Sequence, residues 1–477
     1  MTTEPDGDTA GMAGAAGTAD ATHVPDHAGP ASLPATEIAA RVRSGELDPV
    51  DVVRAHVERI DRYEPVLHAF ASLTLDSAVR EAEALRGRDD LASLPLAGVP
   101  VAIKDNVDVQ GLATRFGSLA TPATPAAQDD ELVARLRRAG ALVVGTTTMP
   151  ELAIWPFTEG AGREPTRNPW SPGRTPGGSS GGSAVAVATG MAAVALGSDG
   201  GGSLRVPAAA CGIVGFKPTP GVVPLPGGAA EHWRGCSAFG PLARSVADAA
   251  LVLDVLAGAE RFRDPGLPSQ PLTISVSPRH PVQGAPVAKA VKAALECAAS
   301  ALAGAGHRIE KASPPNPPTP QAFIRCWLAG IAEDAERADE AALEPRTRAM
   351  VHQGRRLLEK GWAPEASSTR DGQRLRNWLA GRDLLITPVM AQDPPAVGTW
   401  NGRNWIVTIL GVARWMGYTA QWNLAGCPTI AVPVGRSPAG MPIGLQLIGL
   451  PGSEETLLAV AAQLEQLLPQ PAWVPAG

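Results

Sequence analysis

Lys104 closes a short apolar run, Gly98-Val99-Pro100-Val101-Ala102-Ile103. The chain has six lysines, at 104, 217, 289, 292, 311 and 360, among 41 Lys and Arg, so arginine is its default cation. A lysine in that background marks a position where arginine would not serve. An ammonium at the end of a buried strand is destabilised by desolvation, so its pKa falls and the neutral amine can act as a base, which arginine cannot do. Taken alone, the commoner reading is a strand-end lysine whose head snorkels to solvent.

Two glycine-rich segments could supply the rest of a site. Thr175-Pro176-Gly177-Gly178-Ser179-Ser180-Gly181-Gly182-Ser183 places hydroxyls and unobstructed backbone N–H groups just before an apolar helix. A flexible linker fits poorly with the helix that follows at once. Gly177-x-Ser179-x-Gly181 also matches a nucleophile elbow, but that motif needs a strand before it. Asn168-Pro169-Trp170-Ser171-Pro172-Gly173-Arg174 is not one. Gly197-Ser198-Asp199-Gly200-Gly201-Gly202-Ser203-Leu204-Arg205-Val206-Pro207 puts three glycines beside Ser203, which suits an oxyanion hole of main-chain donors. A tight turn or a phosphate-binding loop is the alternative, although a P-loop needs a terminal Gly-Lys-[Ser/Thr] that is absent.

The elements that must position these residues alternate in a βαβ pattern. A helix starts at Asp48-Pro49 and runs through Ile60. A buried strand ends at Lys104, a helix runs over 129–139 with acids first, arginines last and Gly140 as its cap, and the next strand covers 141–145. Residues 162–182 read as loop, 183–191 as a small-residue helix and 194–197 as a strand entering the second glycine loop. Further on, 285–304 and 321–343 read as helices, 384–387, 429–432 and 444–448 as strands, and 454–468 as a closing amphipathic helix. There is no internal repeat and no linker. The expectation is an α/β chain with an acidic, Ala/Gly-rich disordered tail over 1–33 and one domain over 34–477. Its core motifs lie in 98–250 and a variable substrate-pocket region covers about 260–425.

Composition narrows the partners. The 477 residues carry a net charge of −6, of which residues 1–30 hold −5, so the remainder is nearly neutral. No basic run offers a surface for nucleic acid or anionic membrane. No apolar stretch reaches the ~18 residues of a membrane span. The tail lacks the basic start and apolar core of a secretory signal. Five cysteines, widely spaced and without CxxC, argue against a disulfide framework or a zinc site and for reduced, mostly buried thiols in a cytoplasmic protein.

With these residues in place, the sequence resembles the amidase signature family of serine hydrolases over roughly residues 35–470. The resemblance rests on Val101 to Asn106, Asn168 to Ala184, Gly197 to Pro207 and Cys211 to Thr219. Gly240 to Ser245 and Pro442 to Gln446 add to it. It implies an amidase-signature fold, a large mixed twisted β-sheet flanked by helices on both faces. It implies a Ser–Ser–Lys triad, with Ser203 as nucleophile, Ser179 as bridging serine behind a cis Gly178–Ser179 peptide, and Lys104 as the base. The N–H groups of Gly200, Gly201, Gly202 and Ser203 would form the oxyanion hole, with Ser180, Asp199 and Arg205 in support. No metal or cofactor is implied.

Gly200 stands where the family more often carries Thr or Ile, and Thr148 where many members have Asn, so the loop at 200 is expected to be looser and both changes to touch the site rim. Substrate choice is expected from irregular segments rich in tryptophan. Met149, Trp155, Phe157, Trp233, Trp327 and Trp422 are the candidate pocket residues, favouring an aryl or bulky apolar substrate. The expected reaction is hydrolysis by water of a small-molecule amide or carbamate. Its rivals are a urethanase acting mainly on aryl carbamates, a subunit supplying ammonia to an amidotransferase partner, and an inactive binding protein. A homodimer is compatible with the sequence.

Overall fold

The computed structural model describes residues 29–264, 266–315 and 321–469. Most of the expected tail lies outside the described residues. Its last residues are a correction: Pro30–Ser32 form a 3-10 turn, Ala31 is buried, Arg59 donates to Ser32 Oγ at 3.3 Å, and Arg244 donates to the Leu33 carbonyl. Leu33 packs on the main core, and that apolar contact orders the segment.

Eleven strands form one mixed sheet. They are β1 (Phe70–Leu73), β2 (Pro100–Lys104), β3 (Leu142–Thr147), β4 (Val194–Asp199), β5 (Val214–Lys217), β6 (Ala238–Ala243), β7 (Thr273–Val276), β8 (Arg308–Lys311), β9 (Leu384–Pro388), β10 (Thr429–Arg436) and β11 (Pro442–Ile448). Their spatial order is β1-β3-β2-β4-β6-β5-β10-β11-β9-β7-β8. The β3-β2-β4 group is parallel, and so is β8-β7-β9. Every residue of β2, β3, β4 and β6 is buried, so both faces of the central sheet are covered, as near-continuous apolar strands require.

The expected βαβ unit is present: β2, the helix Glu131–Arg138 capped by Asp130, then β3. The helix after the first glycine loop spans Gly181–Ala188, two residues earlier than expected, and all eight of its residues are buried. The expected helix over 321–343 stops at Asp334 and continues as two 3-10 turns, Ala335–Arg337 and Glu340–Ala342. Asp334 turns its side chain to His232 and Trp233, the helix tightens into a 3-10 turn after it, and the run breaks at the extended Ala338. Among the described residues no helix is long and apolar enough to cross a membrane. All five cysteines are free, and Cys297 alone is exposed.

Beside the main core lies a second apolar cluster that includes Trp155, Phe157, Trp233, Trp327 and Trp400. It is built from the segment after β3, the segment before β6 and the helices Gln321–Asp334 and Pro345–Glu359.

Candidate active site

The site begins at the C-terminal ends of two neighbouring parallel strands. β2 ends in Lys104 and β4 ends in Asp199, with Ile103 paired to Leu196. Lys104 is fully buried. Desolvation lowers its pKa from 10.5 to about 7 against the opposing field of the Asp199 carboxylate. Its Nζ donates to Ser179 Oγ at 2.7 Å and to Ser198 Oγ at 2.9 Å. Asn106 Nδ2 donates to the same Ser198 oxygen at 3.1 Å. Ser179 is buried and follows a cis peptide bond at Gly178–Ser179.

Ser203 lies in the glycine loop after β4 and lines a cavity with Gly178, Gly201 and Gly202. No hydrogen bond joins the Ser179 and Ser203 hydroxyls among the described residues. Ser180 ties the two loops through their backbones: its N–H donates to the Ser203 carbonyl at 3.3 Å, and its Oγ to the Ser198 carbonyl at 3.2 Å.

Asp199 and Arg205 hold the glycine loop from below. Both are fully buried, and Arg205 Nε and Nη2 donate to the two Asp199 oxygens at 2.9 Å each. Burial alone would raise the Asp199 pKa, but Arg205, Asn423 and Lys217 outweigh it and hold the carboxyl well below the usual range. The remaining guanidinium donors reach the Thr419 carbonyl at 3.1 Å, Gln446 Oε1 at 3.0 Å and Asn423 Oδ1 at 2.6 Å. Every strong donor of the buried cation thus has an acceptor, as a buried charge demands.

This network corrects one expected donor. The Gly202 N–H points to Asp199 Oδ1 at 2.7 Å, so it is occupied inside the loop and does not face the cavity as a free oxyanion donor. The amides of Gly201 and Ser203 have no hydrogen-bond acceptor among the described residues, and both residues line the cavity. Gly202 must be glycine for another reason: its φ is +131°, and a Cβ there would lie 2.5 Å from Thr419 Oγ1.

The cavity has a volume of about 800 Å³ and a mostly apolar wall. Trp155, Trp233 and Trp327 line it, as the sequence predicts. Trp155 meets Trp327 edge-on with ring centres 5.9 Å apart. Met149, Phe157 and Trp422 do not line it. Phe157 stands behind Trp155, stacked at 5.6 Å, with the Arg346 guanidinium over both rings. Trp422 is fully buried in a separate cluster with Leu375, Leu379 and Cys427. Met149 is buried, its carbonyl packed against Gly117. Thr148 does not reach the rim either: it is buried, and its Oγ1 bonds Thr166 Oγ1 at 2.7 Å.

Several lining residues carry no sequence signal. Arg279, His280 and Gln283 come from the segment after β7, Asp371 and Leu375 from the helix Arg370–Leu379, and Phe323 and Ile324 from the helix Gln321–Asp334. Ser198 is likewise invisible as a Lys104 partner, because it reads simply as the penultimate residue of β4.

Comparison with known proteins agrees with this geometry. The family model described as Amidase matches residues 51–458. "Putative amidase AmiB2" of Mycobacterium tuberculosis is 40% identical, with 92% of this chain and 98% of that protein covered. The 6-aminohexanoate-cyclic-dimer hydrolase of a Pseudomonas species is 34% identical, covering 92% of this chain and 95% of the relative. A solved structure of 6-aminohexanoate cyclic dimer hydrolase superposes with a TM-score of 0.82 at 31% identity, covering 92% of this chain and 98% of that one. A bacterial aryl acylamidase superposes with a TM-score of 0.81 at 25% identity, over 93% and 98% of the two chains. With a buried lysine against a serine, a glycine loop carrying a second serine and matches along nearly its whole length, this chain belongs to the amidase signature family, whose members are hydrolases acting on amides.

Proposed function

We propose that this protein hydrolyses C–N bonds of small apolar amides, aryl amides foremost, through an acyl-enzyme on Ser203. The observation that carries the reading is Lys104: a fully buried amine, held near neutrality by desolvation and 2.7 Å from the Oγ of Ser179, whose neighbour Gly178 lines the same cavity as Ser203.

Neutral Lys104 takes the proton of Ser179, which takes that of Ser203. Ser203 Oγ then bonds to the substrate carbonyl carbon. The oxyanion meets the free amides of Gly201 and Ser203. The relay returns the proton to the leaving nitrogen, the C–N bond breaks, and the amine departs. Water adds to the acyl-enzyme by the same route and releases the acid. The Ser179–Ser203 contact tightens when substrate binds, as catalytic hydrogen bonds commonly do.

The lining favours a substrate with an aromatic or aliphatic body, since Trp155, Trp327, Phe323 and Ile409 present no charge. A carbamate differs from an amide by one oxygen beside the carbonyl, and a cyclic amide by closure of the chain. The test is arylamine release at pH 8 from an aryl acylamide and from an aryl carbamate of the same amine, with ring opening of 6-aminohexanoate cyclic dimer followed in parallel. Ser203→Ala is the control throughout. Turnover of the acylamide that vanishes in the control is the expected result. Turnover confined to the carbamate would reassign the enzyme as a urethanase, and turnover surviving Ser203→Ala would overturn the mechanism.

A further inference from the structure

Gly200 has no backbone reason to be glycine, because its φ lies outside the left-handed region. Space explains it instead. A Cβ on Gly200 would stand 2.5 Å from Trp233 Cε3 and 2.8 Å from Cζ3. The loop at 200 is therefore not loose, as its missing side chain alone would imply: an indole fills the gap. The opposite side of Trp233 repeats the arrangement. Gly330 lies inside the helix Gln321–Asp334, where glycine is unfavourable, and a Cβ there would meet Trp233 Cδ1 at 2.5 Å and its Cα at 2.7 Å.

Trp233 is fixed in this slot by polar contacts as well. Its indole N–H donates to Asp334 Oδ2 at 2.7 Å. His232 stacks on it with ring centres 5.7 Å apart, and that imidazole is itself held by Asp334 at 3.1 Å and Ser237 Oγ at 2.9 Å. The backbone of Trp233 is left-handed, with φ +51°, a conformation a bulky residue adopts only when its surroundings impose it. Two glycines, a buried carboxylate and an unusual backbone converge on one ring, and that ring lines the cavity beside Gly201 and Ser203.

We propose that Trp233, seated in the space vacated at Gly200 and Gly330, is the specificity-determining residue of this site, setting the size limit for the substrate group that lies against the glycine loop. The proposal rests on the hydrolase reading of Ser203 for its meaning, so its test uses binding. Affinities of N-acyl p-nitroanilides from acetyl to octanoyl and benzoyl, and of N-acetyl arylamines of increasing size, are measured by calorimetry on Ser203→Ala alone and combined with Trp233→Ala or Trp233→Phe. Turnover of the same compounds by the unaltered enzyme tests the hydrolase reading separately.

In one of the two series, the preference for small over bulky ligands should fall tenfold or more with Trp233→Ala, and less with Trp233→Phe, which keeps a ring in the slot. Gly200→Thr should weaken binding of the smallest ligand, and that penalty should shrink at least fivefold when Trp233 is absent, because the clash is with the indole. Asp334→Asn should move the size preference in the direction of Trp233→Ala, which a purely structural aspartate would not do. An unchanged size preference in both series, an equal Gly200→Thr penalty with and without Trp233, or no binding by any member overturns the proposal.

Discussion

Raising the pH from 6 to 8 should switch this enzyme on. In the proposed relay Lys104 is the base, which requires the neutral amine, and burial brings its pKa from 10.5 to about 7. With the lower value, the neutral fraction rises about tenfold between pH 6 and 8 and then only about 1.1-fold between pH 8 and 10. With the unshifted value, it would rise about 100-fold over the first interval and still about 80-fold over the second. Burial thus raises the amount of usable base at pH 8 roughly 300-fold. The assay is kcat/KM for an aryl acylamide across pH 5.5–10, with circular dichroism at each pH to show that the fold persists. The expected profile climbs with an apparent pKa near 7 and then levels. Lys104→Arg, which keeps the charge but has no accessible neutral form, should lose at least about four orders of magnitude, as other triads do on losing a member. A profile still climbing steeply at pH 9–10, or a Lys104→Arg variant retaining more than about 1% of the rate, would refute the assignment of Lys104 as the base.

Arg205→Ala should cost about 3–5 kcal/mol in chemical denaturation, because it leaves Asp199 buried without its cation; a loss under ~1 kcal/mol would contradict the network. The Asp199 carboxyl is depressed in the fold, so its contribution is present above the unfolded pKa and drains away as pH falls below ~4, which a urea series from pH 6 to pH 3 would register. Ser198→Ala, which removes the hydroxyl shared by Lys104 and Asn106, should lower kcat/KM about tenfold while the melting temperature moves by only a few degrees; an unchanged rate would show that Ser198 does not orient the amine. Trp422→Ala should cost about 3–5 kcal/mol in stability and shift the ranking of substrates by size far less than Trp233→Ala, since its ring packs behind the lining residue Leu375 and does not itself line the cavity.

Lys104 and the two glycine-rich loops stood out as local patterns, a strand-end lysine in an arginine-rich chain and serines among consecutive glycines, while the choice of Ser179 and Ser203 among those serines came from the family resemblance. The partners that fix them did not stand out. Asn423 and Thr419 reach Arg205 from 218 and 214 residues away, and nothing in their own neighbourhood marks them. The tryptophans show the same limit. Trp233 and Trp422 both come from segments that read as irregular in the sequence, yet one lines the cavity and the other sits in the short helix Ala420–Leu424, packed behind Leu375 and Leu379. Which way a large ring points is decided by the element it docks against, and the docking surfaces come from distant parts of the chain. The sheet was half legible for a related reason. β2, β3, β4 and β10 are apolar runs, whereas β6 is broken by Gly240 and Pro241 and β8 is Arg308-Ile309-Glu310-Lys311, which carries no strand pattern.

The register between β2 and β4 has a consequence for how such an enzyme can change. Lys104 and the glycine loop leave the ends of neighbouring strands in one backbone ladder, so main-chain bonding about 4.8 Å wide sets where both begin, while the Asp199–Arg205 pair holds the loop beyond its strand. The walls that choose the substrate hang from helices and loops outside that ladder. Most of the wall therefore lies off the strands that carry the amine, and Trp233 against Gly200 is where the two parts touch. Substitutions in the wall away from Trp233 can then alter which compounds fit without moving the paired strands.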